Sequence, residues 1–267
     1  MTPQIHLYVL ASGSKGNAYV VAGPEGAVLV DCGISLRELR RRAAAVGAPL
    51  DDVRAAFLTH EHSDHVAGLS VFCNHFDGKL YATAGTVAAR RYLSDLPFSL
   101  VDHSEELVVC GMRVRTFPTS HDVADPIGLR FSAADDALGI CTDTGVLTLG
   151  AHEALAGCRV LALESNHDRH MLATGPYPAF LKARVGGDRG HLSNDQAAEA
   201  LRELVGPDTE TVVAMHLSEK NNRPAVAIRT LAAALDAQVT EGGLEARTPD
   251  GRLTICAASQ TEPLAVW

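Results

Sequence analysis

The sequence predicts an α/β fold, and three observations carry that prediction. Short apolar runs alternate with helical patterns along all 267 residues. The balance of 46% hydrophobic to 21% charged residues, with 5% aromatic, is that of a chain able to bury a large core, which excludes disorder and collagen-like structure. No linker, break in composition or fixed-period repeat interrupts the pattern, so a single domain over residues 1–267 is expected, with a possible basic insertion around 167–191.

Taken in order, residues 5–10 and 18–21 read as strands around the turn Ser12-Gly13-Ser14-Lys15-Gly16-Asn17, and residues 27–30 as a buried strand ending at Asp31-Cys32-Gly33. Residues 35–46 read as a helix with Ser35 and Glu38 as a capping box and Gly47 as the stop; Leu36, Leu39 and Val46 share one face, and Arg37, Arg40, Arg41 and Arg42 lie on the other. A strand at 55–59 runs into His60-Glu61-His62-Ser63-Asp64-His65, and a helical pattern follows over 66–75. Next come a strand at 79–82, a helix at 86–93 and strands at 98–101, 107–109 and 113–117, the last closed by Pro118-Thr119-Ser120-His121. Strands at 128–132 and 137–142 flank an Asp135-Asp136 turn, and a helix at 148–155 precedes a strand at 159–163. A helical basic segment, a helix at 194–205, a strand at 211–215, a helix at 223–235 and a hairpin across Pro249-Asp250-Gly251 complete the chain.

With 23 Lys and Arg against 32 Asp and Glu, the net charge of −9 repels polyanions at long range, so a nucleic-acid substrate requires local positive charge. Six cysteines without any C-x-x-C spacing argue against a zinc ribbon or disulfide framework and read as buried, reduced thiols. No basic leader precedes the first apolar run, and no apolar stretch approaches membrane-spanning length. A cytoplasmic location and no membrane partner are therefore expected. The sequence sets no oligomeric state.

The sharpest signal is His-x-His-x-Asp-His over 60–65, four metal-ligating side chains in a loop after a strand. One tetrahedral ion is poorly served by that spacing. His60 and His62 project the same way toward one ion, whereas Asp64 and His65, displaced by the turn, face a second, so two cations are implied. Zinc, manganese or iron would suit such donors. Asp31 reads either as a carboxylate that accepts the free N–H of a ligating imidazole or as a turn cap. His6, His75, His103 and His152 have no ligand spacing and read as ordinary hydrogen-bonding residues.

This loop, Asp31-Cys32-Gly33 and the later isolated His and Asp positions resemble the metallo-β-lactamase superfamily over most of the chain. Within it, Ser12-Gly13-Ser14-Lys15-Gly16-Asn17, Ala162-Leu163-Glu164-Ser165-Asn166-His167-Asp168 and Gly190-His191-Leu192-Ser193-Asn194 resemble the YycJ/WalJ branch, regarded as DNA-processing 5′ to 3′ exonucleases. The resemblance implies a four-layer αββα sandwich of two mixed β-sheets flanked by helices. It also implies that His60, His62 and His121 hold one ion, that Asp64, His65 and His216 hold the other, and that Asp143 bridges them. Each of His121, Asp143 and His216 closes a predicted strand. By the same resemblance Asp64 and His191 are the catalytic residues, His191 binding the scissile phosphate or protonating the leaving oxygen.

A dinuclear centre of this kind keeps a charge of about +1 after two aspartates and a hydroxide, attracts an anionic ester and favours in-line attack on phosphorus by a bridging hydroxide. The local charge between residues 167 and 191 tilts the choice of ester toward nucleic acid, DNA by the resemblance. Arg169, Lys182, Arg184 and Arg189 there outnumber Asp168 and Asp188, and could neutralise backbone phosphates or simply face solvent. Ser12, Ser14 and Asn17 offer a nest for a terminal phosphate or form a tight hairpin. Ser193 and Asn194 either cap the next helix or present its N-terminus to a phosphate. A glyoxalase II-like thioesterase or lactamase-type hydrolase, and a non-catalytic nucleic-acid-binding protein on the same fold, are the competing readings.

Overall fold

The computed structural model describes residues 3–267. Its strands are β1 (His6–Ala11), β2 (Ala18–Gly23), β3 (Gly26–Val30), β4 (Val53–Phe57), β5 (Lys79–Ala82), β6 (Phe98–Leu100), β7 (Glu106–Val109), β8 (Met112–Pro118), β9 (Ile127–Ala133), β10 (Asp136–Cys141), β11 (Val160–Glu164), β12 (Thr211–Met215), β13 (Gln238–Val239), β14 (Glu245–Arg247), β15 (Thr254–Ala257) and β16 (Leu264–Val266). Its helices are α1 (Leu36–Val46), α2 (Ser63–Val66), α3 (Leu69–Cys73), α4 (Ala84–Ala88), α5 (Arg91–Ser94), α6 (Leu149–Leu155), α7 (Arg169–Thr174), α8 (Ala179–Val185), α9 (Asn194–Leu204) and α10 (Pro224–Ala234). The strands form two mixed sheets, ordered β16-β1-β2-β3-β4-β5-β6 and β13-β14-β15-β12-β11-β10-β9-β8-β7. With their flanking helices these make the αββα sandwich that the resemblance implies. No described helix is long and apolar enough to cross a membrane.

The described chain divides into two compact units, each assembled from separated segments. One comprises the residues up to Pro118 with Val123–Asp136 and Ser259–Trp267; the other comprises Thr119–Asp122 and Ala137–Ala258. In the first, β1, β2 and β3 form an antiparallel meander, after which β4, β5 and β6 add in parallel. Tyr8, Leu10, Val20 and Leu29 face helical Leu39, Ala43, Leu69 and Phe72 in one core cluster, and the alternate residues Leu7, Val9, Val21 and Val28 are also fully buried. Both faces of the sheet are covered, which is why its strands read as unbroken apolar runs. In the second unit β10, β11, β12 and β15 run parallel, with α10 packed on α9 and on β15.

Four local readings differ from the structure. The helix expected over 66–75 is two short ones parted at Gly68, where a Cβ would stand 1.9 Å from the Ile34 carbonyl oxygen. The helix expected over 86–93 is likewise split into α4 and α5. Arg42, placed on the polar face of α1, is buried and donates to the carbonyls of Leu10 (3.1 Å) and Gln260 (2.7 Å). Its guanidinium satisfies backbone acceptors that no solvent reaches. Of the cysteines, all free, Cys32, Cys141 and Cys158 are buried, but Cys73, Cys110 and Cys256 are only half-buried.

Candidate metal centre

The chemistry sits where strands end. β3 delivers Asp31 and β4 delivers residues 60–65; β8, β10, β11 and β12 deliver His121, Asp143, Glu164 and His216 in the same way. Carboxyl ends of parallel strands are the usual home of such sites, as β3, β4, β10, β11 and β12 are here; β8 is antiparallel to both its neighbours. Three of these residues, Asp31 (φ 59°), Asp143 (φ 57°) and His216 (φ 53°), adopt the left-handed region, which swings the chain sharply out of the strand.

In the first unit, His60 and His62 offer ligand atoms within 4.8 Å of each other, as do Asp64 and His65. His60 and His65 also offer ligand atoms within 4.8 Å of each other, so proximity alone does not divide the four into two pairs. His65 Nδ1 donates to Asp31 Oδ2 at 2.7 Å. The same carboxylate accepts the Thr59 amide at 2.8 Å and the Thr59 hydroxyl at 2.9 Å, and that hydroxyl oxygen accepts from His60 Nδ1 at 3.0 Å. One buried aspartate thus fixes the tautomer of two imidazoles, directly for His65 and through Thr59 for His60, leaving Nε2 of each as the basic nitrogen.

In the second unit, Asp143, Glu164, His191 and His216 offer ligand atoms that all lie within 4.8 Å of one another. His121 Nε2 is 3.8 Å and His216 Nε2 3.6 Å from Asp143 Oδ1. His121 Nδ1 donates to the Gly190 carbonyl at 3.0 Å, and His216 Nδ1 to Glu164 Oε1 at 3.2 Å. His191 Nδ1 donates to the same Glu164 oxygen at 2.8 Å, while Glu164 Oε2 accepts the amides of Thr144 (2.9 Å) and Leu192 (3.2 Å). Burial alone would raise the Glu164 carboxyl, but the charge of His191 and the bonds from His191 and His216 outweigh it and hold the group well below the usual carboxylate range. Burial, its largest influence, keeps His121 below the ordinary imidazole range and so neutral, as a ligand must be.

These side chains fit a pair of divalent ions. The clusters of the two units supply five imidazoles and two aspartates, the complement of a dinuclear divalent-metal cofactor site. In His60, His65, His121 and His216 the Nδ1 is anchored, directing Nε2 as the donor.

Four of the five residues expected to contact phosphate are placed otherwise. Asn17 is fully buried, and its amide reaches Asp64 Oδ2 (3.2 Å) and His65 Nε2 (2.9 Å), tying the 12–17 turn to the 60–65 loop. Ser12 is buried as well. Ser193 caps α9 in a reciprocal box with Gln196, as the capping alternative has it, whereas buried Asn194 is the first residue of α9 and bonds Ser165 and Asn222 instead. Ser14 is exposed. The basic residues are engaged within their own segment's surroundings: Arg184 pairs with Asp122, Arg189 donates to the His121 carbonyl (3.1 Å), Lys182 to the Ala173 carbonyl (2.6 Å), and Arg169 to Ser193 Oγ (3.2 Å). Sequence reasoning gave no role to Glu164 or Thr59. The available signal for Glu164 was a single carboxylate closing the otherwise apolar run 160–164.

Comparison with known proteins follows the geometry. The family model described as Metallo-beta-lactamase superfamily matches residues 11–216. Exodeoxyribonuclease YycJ of Bacillus anthracis is 33% identical over 87% of this chain and 89% of its own. Exodeoxyribonuclease WalJ of Streptococcus pneumoniae is 31% identical over 84% of this chain and 85% of its own. The crystal structure of YhfI from Bacillus subtilis, a metallo-beta-lactamase fold protein, superposes with a TM-score of 0.68 at 14% identity, covering 98% of this chain and 99% of that one, a likeness of fold.

Proposed function

The chain belongs to the metallo-beta-lactamase superfamily, and from that footing we propose that it is a DNA exonuclease that releases nucleotides from 5′ ends. It is a metal-dependent hydrolase, and its dinuclear ligand complement and nuclease relatives support phosphodiester cleavage. Support for DNA comes from those two relatives, both named exodeoxyribonucleases; the same reading locates the protein in the cytoplasm, with DNA.

In this reading His60, His62 and His121 would hold one ion, Asp64, His65 and His216 would hold the other, and Asp143 would be shared by both. When bound, two divalent ions acidify water and offset the negative charge that builds on oxygen during in-line displacement at phosphorus. The chain's own residues do the rest. Asp31 and Glu164 hold the imidazoles in the ligating tautomer. His191, whose side chain is 19% exposed, is held by Glu164 at Nδ1, so its Nε2 is the nitrogen able to carry a proton to the departing 3′ oxygen. Ser14 is the exposed phosphate contact of the 12–17 turn, and Arg169, Lys182, Arg184 and Arg189 keep the 167–191 segment positive toward the substrate.

The observation that carries the reading is Glu164: one buried carboxylate orients a metal-ligating type of imidazole and, on the same oxygen, a second imidazole free to move a proton. The test is digestion of 5′-labelled and 3′-labelled DNA with manganese or zinc. Labelled mononucleotide as the first product of the 5′-labelled strand supports it. Internal cuts, release from the 3′ end, or turnover of a thioester panel with intact DNA each overturn it.

A further inference from the structure

The segment between Glu164 and His191 carries an aromatic side chain that the reaction chemistry leaves unused. Helix α8 buries none of its residues, and Phe180 near its start is 74% exposed. An exposed phenyl ring costs free energy in water, and nothing within the second unit covers this one. Its direction is set by Arg184, four residues on and therefore on the same helical face. Arg184 is paired with Asp122, whose Oδ1 lies 3.6 Å from Nε2 of His121. Phe180 thus stands about 6 Å along the helix axis from a side chain that reaches the neighbour of a ligand histidine.

The backbone beneath this helix is pinned. Ser120 Oγ donates to the Asp188 carbonyl (2.7 Å), the His191 amide to the Val185 carbonyl (2.9 Å), and a Cβ at Gly145 would stand 2.3 Å from the Gly187 carbonyl oxygen. Arg184, Arg189, Lys182 and Arg169 each have a partner within the second unit, so the exposed face of the segment offers a ring among tethered cations, under a locally positive charge.

We infer that Phe180 is a stacking platform for a nucleobase beside the scissile phosphodiester, so that the site grips a nucleotide by its base as well as its phosphate. The inference rests on the nuclease reading above. Base-on-aromatic stacking is tolerant of sequence, as an exonuclease requires, and is worth about tenfold or more in affinity per base.

The test compares kcat/KM for two 5′-phosphorylated single strands, one normal and one with abasic tetrahydrofuran residues at its first two positions, in manganese. The parent is expected to favour the normal strand by about tenfold or more. Phe180→Ala and Phe180→Leu should abolish that preference while keeping the parent's melting temperature, and Phe180→Tyr should retain it. A Phe180→Ala protein that discriminates as the parent does overturns the inference alone, and so does unchanged discrimination with loss of a dimer on size exclusion, which would make the ring a subunit contact. A parent that hydrolyses methyl 4-nitrophenyl phosphate but leaves both strands intact overturns the nuclease reading and this inference with it.

Discussion

Glu164→Gln is the most informative single change, because it keeps shape and removes one acceptor. Glu164 Oε1 takes hydrogen bonds from His191 and His216, and Oε2 takes two backbone amides. Glutamine has one oxygen. The amides of Thr144 and Leu192 cannot change their protonation, so the oxygen stays with them and the NH2 group turns to the imidazoles. Each imidazole must then accept at Nδ1 and carry its proton on Nε2, which blocks the nitrogen intended for the metal in His216 and leaves His191 without the carboxylate that would stabilise its imidazolium as it moves a proton. Two hydrogen bonds to a charged acceptor are worth about 1.5–3 kcal/mol each, so the combined loss is about 3–6 kcal/mol, or roughly 10²–10⁴ in rate. Metal affinity should fall by about 10–100-fold through His216. Steady-state kinetics on 5′-labelled DNA at saturating manganese reads the first effect, and calorimetric metal titration of chelator-treated protein the second. Retention of kcat within about threefold of the parent, at equal metal occupancy, would refute the tautomer argument.

Other outcomes follow from the same geometry. Asp31→Asn should weaken metal binding by about 10–100-fold, since it disturbs His65 directly and His60 through Thr59; metal titration checks this, and an unchanged isotherm refutes it. Gly33→Ala puts a Cβ 1.7 Å from the Asp64 carbonyl oxygen, so the 60–65 loop must shift at a cost of about 1–3 kcal/mol, measurable by urea unfolding. Burial lowers His167 to about 4. Between the ordinary value near 6.5 and that figure, only the unfolded chain takes up the proton, so stability is full above about pH 6.5 and falls as pH drops toward 4, by about 2–3 kcal/mol. Burial gives His121 the same sign. Urea midpoints of chelator-treated protein at pH 7 and 4.5 should show that loss, and His167→Gln should lessen it.

The sequence made the centre legible because ligand chemistry and strand ends coincide there. Apolar runs covered on both faces leave few positions for polar residues, so a His or Asp just past such a run stands out, as Asp143 and His216 do after β10 and β12; His121 follows the alternating strand β8 and was legible only through the resemblance. Glu164 closes β11 in the same manner but belongs to no ligand spacing, and its role depends on two imidazoles 27 and 52 residues away. Net charge could show that residues 167–191 are positive but not that Arg184 finds Asp122 or that Arg189 finds a carbonyl, since those partners are set by tertiary contacts. Helical periodicity over 66–75 was real, yet Gly68 lies against the Ile34 carbonyl, a close approach that pattern reading cannot detect. Arg42 went inward for a comparable reason: two carbonyls distant in sequence needed a donor.

The left-handed backbone at Asp31, Asp143 and His216 constrains how this centre can vary and how it should be probed. Asn, Asp, His and Gly tolerate that conformation, whereas alanine and β-branched residues bear a cost of about 1–2 kcal/mol for the backbone alone. An alanine scan would therefore overstate what the carboxylates and imidazole contribute to metal affinity. Asparagine in place of either aspartate preserves the bend while discharging the side chain, and the same short repertoire bounds the drift open to related chains at these corners.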